Sequence, residues 1–398
     1  MDKRRIVITG LGCVTPLAES AEDLFSALQQ GKSGISTIDS FDVSEYPVRF
    51  GGQIKNFNVT KYVGQRESKR MDRFTQFAMA AAIQAVKDSG LDFAGGDPFR
   101  AGVIVGTGIG GLKEIEEQHA RLLTKGPRKV SPFCVPRLMG NAASGNIAIK
   151  YGLRGPNICV VSACASGSHA IGEAYSNIVT GRSDIMITGG SEAALTPIGL
   201  ASFCSAKSLS TRNDDPQAAS RPFDKDRDGF VLAEGAGVLV LEEYERAKKR
   251  GANIYAELLG YAATDDGYHI TAPLPDGAGA AKAMELALAD AGIDKEKVDY
   301  INAHGTGTEL NDLAESTAIK NVFGDHVYKL LVSSTKSCLG HSLGATGAVE
   351  LLICCKAITK SVVPPTINLD NPDERCDLKI DYVPLEAREH QVLSLIHI

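Results

Sequence analysis

The sequence predicts an α/β fold built from two similar halves. Short apolar segments of strand length alternate with longer segments of helical periodicity, and this alternation is typical of α/β proteins. Most strand candidates are nearly continuous apolar runs, which indicates sheets covered by helices on both faces. Two strand–loop–helix segments, residues 158–180 and 331–360, also share one plan. These observations favour a duplicated α/β unit.

The strand and helix candidates follow from these patterns. We predict strands over residues 5–9, 102–106, 158–162, 184–188, 237–241, 254–259, 298–302, 331–334 and 379–383. We predict helices over residues 73–89, 168–180, 279–291, 310–321 and 344–359. The first helix has one apolar face, formed by Phe74, Phe77, Ala78, Ala81, Ala82 and Ala85.

The two similar segments each place reactive residue types between a strand and the start of a helix. The first loop reads SACASGSH and the second reads STKSCLGHSLG. A duplication would bring the two loops together at a pseudo-twofold axis. The charged stretch 242–251 is the candidate boundary and divides the chain into residues 1–250 and 251–398. The alternative is that no duplication occurred, because any α/β protein contains several strand–loop–helix units of this kind.

Composition excludes several classes of function. The net charge of −6 argues against a general nucleic-acid binder. No run of 18 apolar residues occurs, so we expect no membrane span, and the early strand-like run leaves no room for a targeting peptide. The nine scattered cysteines favour a reducing, cytoplasmic compartment. Because no cysteine or histidine spacing fits a zinc site, we expect neither a metal nor a cofactor.

Cys164 is the first candidate catalytic residue. It follows an apolar strand and precedes a helix within VVSACASGSHAIG. The helix macrodipole favours a thiolate at that position, and backbone N–H groups of the turn can stabilise an oxyanion. Small neighbours leave room for a substrate beside the sulfur. The alternative is a buried structural cysteine, which is the commoner fate of the residue.

Two histidines lie in similar glycine-rich loops. His304 follows a strand in NAHGTGTELND, and His341 follows Lys336 in STKSCLGHSLGATG. A single histidine is more often a polar core residue than a catalyst. Two histidines at strand ends, together with the similarly placed Cys164, indicate nucleophilic catalysis.

The motifs resemble the signature elements of β-ketoacyl-[acyl-carrier-protein] synthases. The segments ACASGSHAIG, NAHGTGT and KSCLGHSLGATGAVE carry the likeness, and LSTRNDDPQAASRPFDKDRDGFVLAEGAG is also similar. The resemblance covers nearly the whole chain and is nearest to the type II, elongating branch. It implies the thiolase fold, in which two similar halves give five layers, α-β-α-β-α. It also implies a homodimer and a partner, the acyl carrier protein.

The resemblance implies a role for each matching residue. Cys164 matches the nucleophile that takes an acyl chain from the carrier protein. His304 and His341 match the pair that supports decarboxylation of malonyl carrier protein. Lys336 matches the lysine that organises the histidine loop, and Glu350 matches its ion-pair partner. The expected product is a β-ketoacyl chain two carbons longer, with release of carbon dioxide.

The same resemblance extends to substrate-binding and docking residues. Thr306 and Thr308 match hydroxyls that bind the pantetheine arm, and Ile109 matches a gate at the acyl pocket. Three aromatic residues are candidates for the pocket wall: Phe133, Phe203 and Phe230. Six basic residues are candidates for docking the acidic carrier protein: Arg66, Lys69, Arg70, Arg128, Lys129 and Lys207.

The C-terminal residues depart from the family pattern. Family members continue with a segment of the type NSFGFGG, which supplies a phenylalanine gate and one oxyanion N–H, whereas this sequence ends in QVLSLIHI. The loss of one oxyanion donor is expected to cost roughly 10²–10³ in rate.

Several other functions stay open at this point. A polyketide ketosynthase shares the chemistry and the motifs. A silent dimer partner usually lacks the cysteine, and a degradative thiolase uses a Cys/His/Cys set. A pure decarboxylase and an inactive truncated form complete the alternatives.

Overall fold

A computed structural model describes residues 3–398. Its strands are β1 (Ile6–Val14), β2 (Ser36–Thr37), β3 (Phe50–Gly51), β4 (Ala101–Gly106), β5 (Asn157–Val160), β6 (Ile185–Glu192), β7 (Gly235–Glu243), β8 (Ala256–Leu258), β9 (Tyr300–Asn302), β10 (Leu331–Ser333), β11 (Val362–Val363), β12 (Arg388–Glu389) and β13 (Leu395–His397). Its α-helices are α1 (Ala21–Gln29), α2 (Gln65–Ser68), α3 (Arg73–Ser89), α4 (Leu112–Lys125), α5 (Cys134–Leu138), α6 (Ala142–Tyr151), α7 (Ser166–Val179), α8 (Pro197–Ser205), α9 (Tyr244–Lys249), α10 (Ala278–Ala291), α11 (Glu309–Phe323), α12 (Lys336–Leu339) and α13 (Thr346–Lys360).

A six-stranded mixed sheet forms the larger part of the molecule. Its strand order is β5-β4-β6-β7-β1-β8. The strands β5, β4 and β6 are parallel, whereas β7 is antiparallel to both β6 and β1. Parallel neighbours require crossover helices, and this requirement explains why helices follow β4 and β5.

Helices cover both faces of this sheet. Alternate residues of β4 point to opposite sides, so Val103 and Val105 join a core with α3 and α6, whereas Ile104 joins a core with α7 and α13. The apolar face of α3 is buried against the sheet, as the periodicity predicts. The sequence prediction of two-sided burial is therefore confirmed.

A second, three-stranded parallel sheet has the order β10-β9-β13. Tyr300 and Leu331 face the core that contains α7 and α13. Ile301 and Val332 face the core that contains residues of α10 and α11. The layers are therefore helix, sheet, helix, sheet and helix, and the central helical layer contains α7 and α13.

The sequence predictions agree with most of these elements. All five predicted helices are present, and the first has the bounds that were expected. The predicted strand over residues 379–383 is wrong, because only Asp381 bridges to Leu331 and Val383 has a φ of +48° that ends extended pairing. The division into residues 1–250 and 251–398 stays a prediction, and β8, which lies beyond residue 250, pairs with β1.

Within residues 3–398, none of the helices combines the length and the apolar character that crossing a membrane requires.

Candidate active site

Cys164 lies in a tight turn between β5 and α7. The preceding residue, Ala163, has a φ of +51°, a left-handed conformation that costs energy for a residue with a Cβ. Ser166 Oγ stabilises the turn by donating to Ala163 O at 2.7 Å and accepting from Ser162 N at 2.9 Å. The turn thus presents the thiol two residues before Ser166, the first residue of α7, where the helix dipole stabilises negative charge.

His304 lies two residues after the end of β9, in a loop that Glu315 of α11 positions. The Glu315 carboxylate accepts from the backbone N–H of His304 at 2.6 Å and of Gly305 at 2.7 Å. Gly305 has a φ of +40°, and a Cβ there would lie 2.5 Å from Ser334 Cβ. The glycine therefore allows the His304 loop to pack against the segment after β10.

His341 lies between α12 and α13 and contacts the thiol directly. Its Nε2 is 2.9 Å from Cys164 Sγ, and its Nδ1 is 2.9 Å from Thr346 Oγ1. The backbone N–H of His341 donates to Val231 O at 2.7 Å, which fixes the loop against the segment that precedes β7. The imidazole is thereby hydrogen-bonded at both ring nitrogens.

The three sequence-predicted residues converge on one point. Cys164 Sγ and one nitrogen each of His304 and His341 all lie within 4.8 Å of one another. The two imidazole rings meet edge to face, with 5.4 Å between their centroids and 87° between their planes. At these distances the thiol and the two imidazoles can all contact the same reacting group of a bound substrate.

A buried ion pair lies behind the histidines. Lys336 Nζ is 2.7 Å from Glu350 Oε1, and both side chains are about 2% exposed or less. A buried ammonium without such a partner would be strongly destabilising. Glu350 Oε2 is also 3.4 Å from His397 Nε2.

Burial and the Lys336 charge set the protonation states of the site. Burial lowers the pKa of both His304 and His341 well below 6.5, and the Lys336 ammonium lowers these pKa values further. Burial raises the pKa of the Cys164 thiol, an effect that Lys336 opposes. At neutral pH the site therefore holds a thiol and two neutral imidazoles. The positive potential of Lys336 favours a developing anion here over an added metal cation.

A cavity of about 520 Å³ opens onto this site. Cys164, His304 and Thr346 line it, together with the carboxylates of Glu315 and Glu350. Apolar residues of α10 also line it, among them Met284, Ala287 and Leu288. Burial raises the pKa of the Glu315 carboxyl to about 7.

Two of the three predicted aromatic residues pack near the thiol. Phe230 contacts the His341 ring edge to face at 5.4 Å, and Phe203 contacts Phe230 at 5.5 Å. Both share a hydrophobic cluster with Cys164. Phe133 lies elsewhere: it is 43% exposed, and the Arg70 guanidinium lies 5.3 Å from its ring centroid.

The remaining predicted residues lie around the site. The hydroxyls of Thr306 and Thr308 are 2.9 Å apart, beyond the His304 loop. Ile109 is 44% exposed in the loop after β4, and neither it nor the two threonines line the cavity described above. The six basic docking candidates are all exposed: Arg66, Lys69, Arg70, Arg128, Lys129 and Lys207.

Sequence reasoning missed three residues that the structure brings to the site: Thr346, Glu192 and Glu315. Glu192 is fully buried at the end of β6 and accepts hydrogen bonds from the loop after β4 and from Gly344. A sequence signal existed for Glu315, which follows His304 by eleven residues on a predicted helix. Nothing local marks Glu192, because its partners come from distant segments.

The chain is similar to known proteins over nearly its whole length. Residues 3–247 match the model of the beta-ketoacyl synthase N-terminal domain, and residues 255–370 match that of the C-terminal domain. A 3-oxoacyl-[acyl-carrier-protein] synthase 2 from Synechocystis is 52% identical, covering 98% of this chain and 93% of that protein. The protein of the same name from Coxiella burnetii is 51% identical, covering 98% and 94%.

Solved structures resemble the whole chain. A type II polyketide ketosynthase in complex with its acyl carrier protein has a TM-score of 0.91 at 37% identity, covering 100% of this chain and 96% of its own. A beta-ketoacyl synthase from Burkholderia phymatum has a TM-score of 0.89 at 36% identity, covering 98% and 94%. The five layers described above are those of the thiolase fold that such ketosynthases share. The chain belongs to the β-ketoacyl synthase family.

Proposed function

We propose that this protein is a condensing enzyme that elongates fatty acids by two carbons. It joins an enzyme-bound acyl chain to malonyl-[acyl-carrier protein] with loss of carbon dioxide. The observation that carries this proposal is the convergence of one thiol and two neutral imidazoles within 4.8 Å. Curated relatives named 3-oxoacyl-[acyl-carrier-protein] synthase 2, at about half identity over nearly the full chain, support the same reaction.

The first step is transfer of the acyl chain to Cys164. The sulfur attacks the thioester carbonyl of the acyl carrier protein, a C–S bond to Cys164 forms, and the bond to the pantetheine sulfur breaks. Because the resting thiol is protonated, it needs a base, and the nitrogen closest to Sγ is Nε2 of neutral His341 at 2.9 Å. The proton then passes to the departing pantetheine sulfur. Backbone N–H groups at the start of α7 stabilise the oxyanion.

The second step is decarboxylation of the malonyl group. The C–C bond to the carboxylate breaks, carbon dioxide leaves, and the electron pair forms an enolate. Neutral His304 and His341 donate N–H bonds to the thioester oxygen as its negative charge grows. Low pKa values suit this role, because both rings then stay uncharged at neutral pH. An uncharged imidazole forms no ion pair with a carboxylate, so its N–H stays available for the thioester oxygen.

The third step forms the new carbon–carbon bond. The enolate carbon attacks the acyl carbonyl on Cys164, and the thiolate leaves and takes up a proton from water. The Lys336–Glu350 pair acts through the histidines: the lysine charge stabilises the enolate, and Glu350 holds that charge in a fixed place.

The carrier protein delivers both substrates in this proposal. The exposed basic residues Arg66, Lys69, Arg70, Arg128, Lys129 and Lys207 attract its acidic surface, and such charges increase the rate of encounter more than the affinity. Thr306 and Thr308 bind the pantetheine arm through their hydroxyls. Ile109, Phe203 and Phe230 border the acyl chain, whereas Phe133 lies away from the thiol.

Fatty acid synthesis is favoured over polyketide synthesis by the comparisons. The relatives of 51–52% identity carry fatty-acid-type names, whereas the polyketide ketosynthase is 37% identical. The presence of Cys164 also argues against a silent dimer partner. We place the enzyme in the cytoplasm as a homodimer, supported by nine free cysteines among the described residues and by the open edge of β5.

Mass spectrometry of the intact protein tests the proposal. Incubation with acyl carrier proteins of increasing chain length should add one acyl group to the wild-type enzyme, at Cys164. Cys164→Ala should take up none, whereas His304→Ala should still be acylated but should release no carbon dioxide from malonyl carrier protein. Acylation of another cysteine, or decarboxylation by His304→Ala at the wild-type rate, would overturn the assignment.

A further inference from the structure

Glu192 is a buried glutamate whose hydrogen-bond partners belong to two separate segments, one after β4 and one after His341. It is the last residue of β6 and is fully buried. Its Oε1 accepts from Thr107 Oγ1 at 2.9 Å and from Ile109 N at 3.3 Å. Its Oε2 accepts from Gly108 N at 2.6 Å and from Gly344 N at 3.2 Å.

These four donors belong to two different functional loops. Thr107, Gly108 and Ile109 form the loop after β4, which we call the acyl loop. Gly344 belongs to the turn that follows His341, which we call the histidine turn. A carboxylate offers about four acceptor sites, and here each oxygen receives two donors, so one side chain satisfies groups from both loops.

The two loops approach each other too closely for other residues. A Cβ on Gly344 would lie 2.3 Å from Gly108 N, and a Cβ on Gly108 would lie 2.8 Å from Glu192 Oε2. Gly190 adds a third close contact, since a Cβ there would lie 2.3 Å from Gly344 O. Glycine at these positions lets the loops meet over the carboxylate.

Among residues 3–398, the hydrogen bonds to Glu192 come from three backbone N–H groups and one hydroxyl. Burial raises the pKa of this carboxyl, and the four donors oppose that shift. Burying a carboxylate in this way is costly, and a neutral residue of similar size would serve packing alone equally well. The arrangement therefore has a purpose that packing does not explain.

We propose that Glu192 is a positioning residue that holds the acyl loop and the histidine turn together as one unit. The inference rests on the proposed function, in which Ile109 borders the acyl chain and His341 serves both half-reactions. Through this link, the shape of the acyl pocket and the placement of the His341 imidazole depend on each other. Glu192 does not line the cavity that opens onto the site.

The test uses Glu192→Gln, which keeps the size of the side chain. In the Oε2 position its amide nitrogen would face two N–H donors, from Gly108 and Gly344, and two hydrogen bonds would be lost. In the Oε1 position it would face the Ile109 N–H, which loses its bond, and the Thr107 hydroxyl, which can accept instead of donating. The matched control is Glu242→Gln, a fully buried glutamate of β7 held by Thr9, Arg246 and Arg250. Glu242 pairs with Ile185 at the opposite end of β6 from Glu192.

Three measurements report on the link. Hydrogen exchange should accelerate in Glu192→Gln at both the acyl loop and the histidine turn. The preference among acyl chain lengths should change, and decarboxylation of malonyl carrier protein should slow by about tenfold or more, since hydrogen bonds to a charged group are lost. Glu242→Gln should lower the melting temperature but leave both the chain-length preference and the exchange in these loops unchanged.

The outcomes separate this inference from the proposed function. A wild-type chain that performs neither half-reaction contradicts the proposed function, while hydrogen exchange still tests the link. An active wild type together with an unchanged Glu192→Gln overturns the link alone, as does faster exchange in only one loop. If Glu192→Gln does not fold, Thr107→Val provides a second test, because it removes one of the four donors. It should change hydrogen exchange, chain-length preference and decarboxylation rate in the same directions but by smaller amounts. A Thr107→Val protein identical to wild type in all three measurements overturns the link.

Discussion

The proposed mechanism gives His341 opposite hydrogen-bonding roles at the same nitrogen in acyl transfer and in decarboxylation. In acyl transfer its Nε2 accepts the proton of Cys164, which requires the hydrogen on Nδ1. In decarboxylation Nε2 donates to the enolate, which requires a bare Nδ1. The hydroxyl of Thr346, 2.9 Å from Nδ1, can accept in the first state and donate in the second. A hydroxyl therefore suits both tautomers, whereas a backbone N–H would allow only one.

Replacement of Thr346 by valine tests this role. Thr346→Val leaves Nδ1 without a partner in either state, and a buried unsatisfied nitrogen costs about 1–3 kcal/mol. We expect kcat for both acyl transfer and decarboxylation to fall by about tenfold, with KM little changed. Thr346→Ser keeps the hydroxyl and should restore most of the rate. Rates of Thr346→Val equal to those of wild type, measured for each half-reaction, would refute the role.

The neutral histidines also make the fold sensitive to acid. The folded protein holds the pKa values of His304 and His341 well below the usual 6.5, so below about pH 6.5 the unfolded chain binds more protons. The free energy of unfolding should therefore fall as the pH drops below 6.5. Glu315, with its pKa raised to about 7, has the opposite effect between its usual 4.5 and 7.

Denaturation by urea at about pH 5.5 and about pH 7.5 measures this effect. A double variant, His304→Asn with His341→Asn, removes both imidazoles and should lose less stability on acidification than wild type. The contribution of Glu315 is present in both proteins and cancels in the comparison. If acidification lowers the free energy of unfolding of the double variant as much as that of wild type, or more, the two histidines are not neutral in the folded protein.

Two close backbone contacts determine how β1 packs against α3. A Cβ on Gly12 would lie 2.0 Å from Ala81 O, and a Cβ on Gly10 would lie 2.1 Å from Ala85 O. The glycines of β1 therefore let α3 lie directly on the strand. The sequence ITGLG and the alanine-rich face of α3 are two sides of one contact.

Gly12→Ala should accordingly destabilise the protein. Overpacking of this kind typically costs about 1–3 kcal/mol, because strand and helix must move apart. Gly64→Ala is the control, since nothing lies within 4 Å of a Cβ at that position. Thermal denaturation should show a lower midpoint for Gly12→Ala and a nearly unchanged one for Gly64→Ala. Equal midpoints would show that β1 and α3 adjust without cost.

The open edge of the larger sheet indicates how the proposed homodimer forms. β5 is the terminal strand and pairs only with β4 among the described residues. Ile158 is 44% exposed and Val161, just after the strand, is 65% exposed. An unpaired edge with exposed apolar side chains is a ready site for pairing with a second copy.

Lysine substitutions on this edge test the dimer. Ile158→Lys with Val161→Lys places charges on the edge and should shift the protein from dimer to monomer in sedimentation velocity experiments. Leu378→Lys, at a residue 57% exposed in the C-terminal part of the chain, is the matched control and should stay dimeric. If the double variant stays dimeric, the dimer interface lies on another surface.

Local patterns were sufficient to predict most elements and to propose the candidate catalytic residues. The helix over residues 73–89 was predicted with its true bounds, because capping by Asp72 and termination by Gly90 are local. Cys164, His304 and His341 were identified because each lies in a short loop of small residues. The strand predicted over residues 379–383 failed because its apolar alternation does not reveal the left-handed φ of Val383.

The sequence by itself determined the α/β class, the reactive residue types and the loops that carry them, because these depend on neighbours along the chain. Only the tertiary structure decided the distances: 2.9 Å between Cys164 and His341, and the meeting of two loops over Glu192. It also decided the protonation states, since the pKa of His341 depends on burial and on the Lys336 charge held by Glu350. These quantities arise from contacts between segments distant in sequence, and no local pattern encodes them.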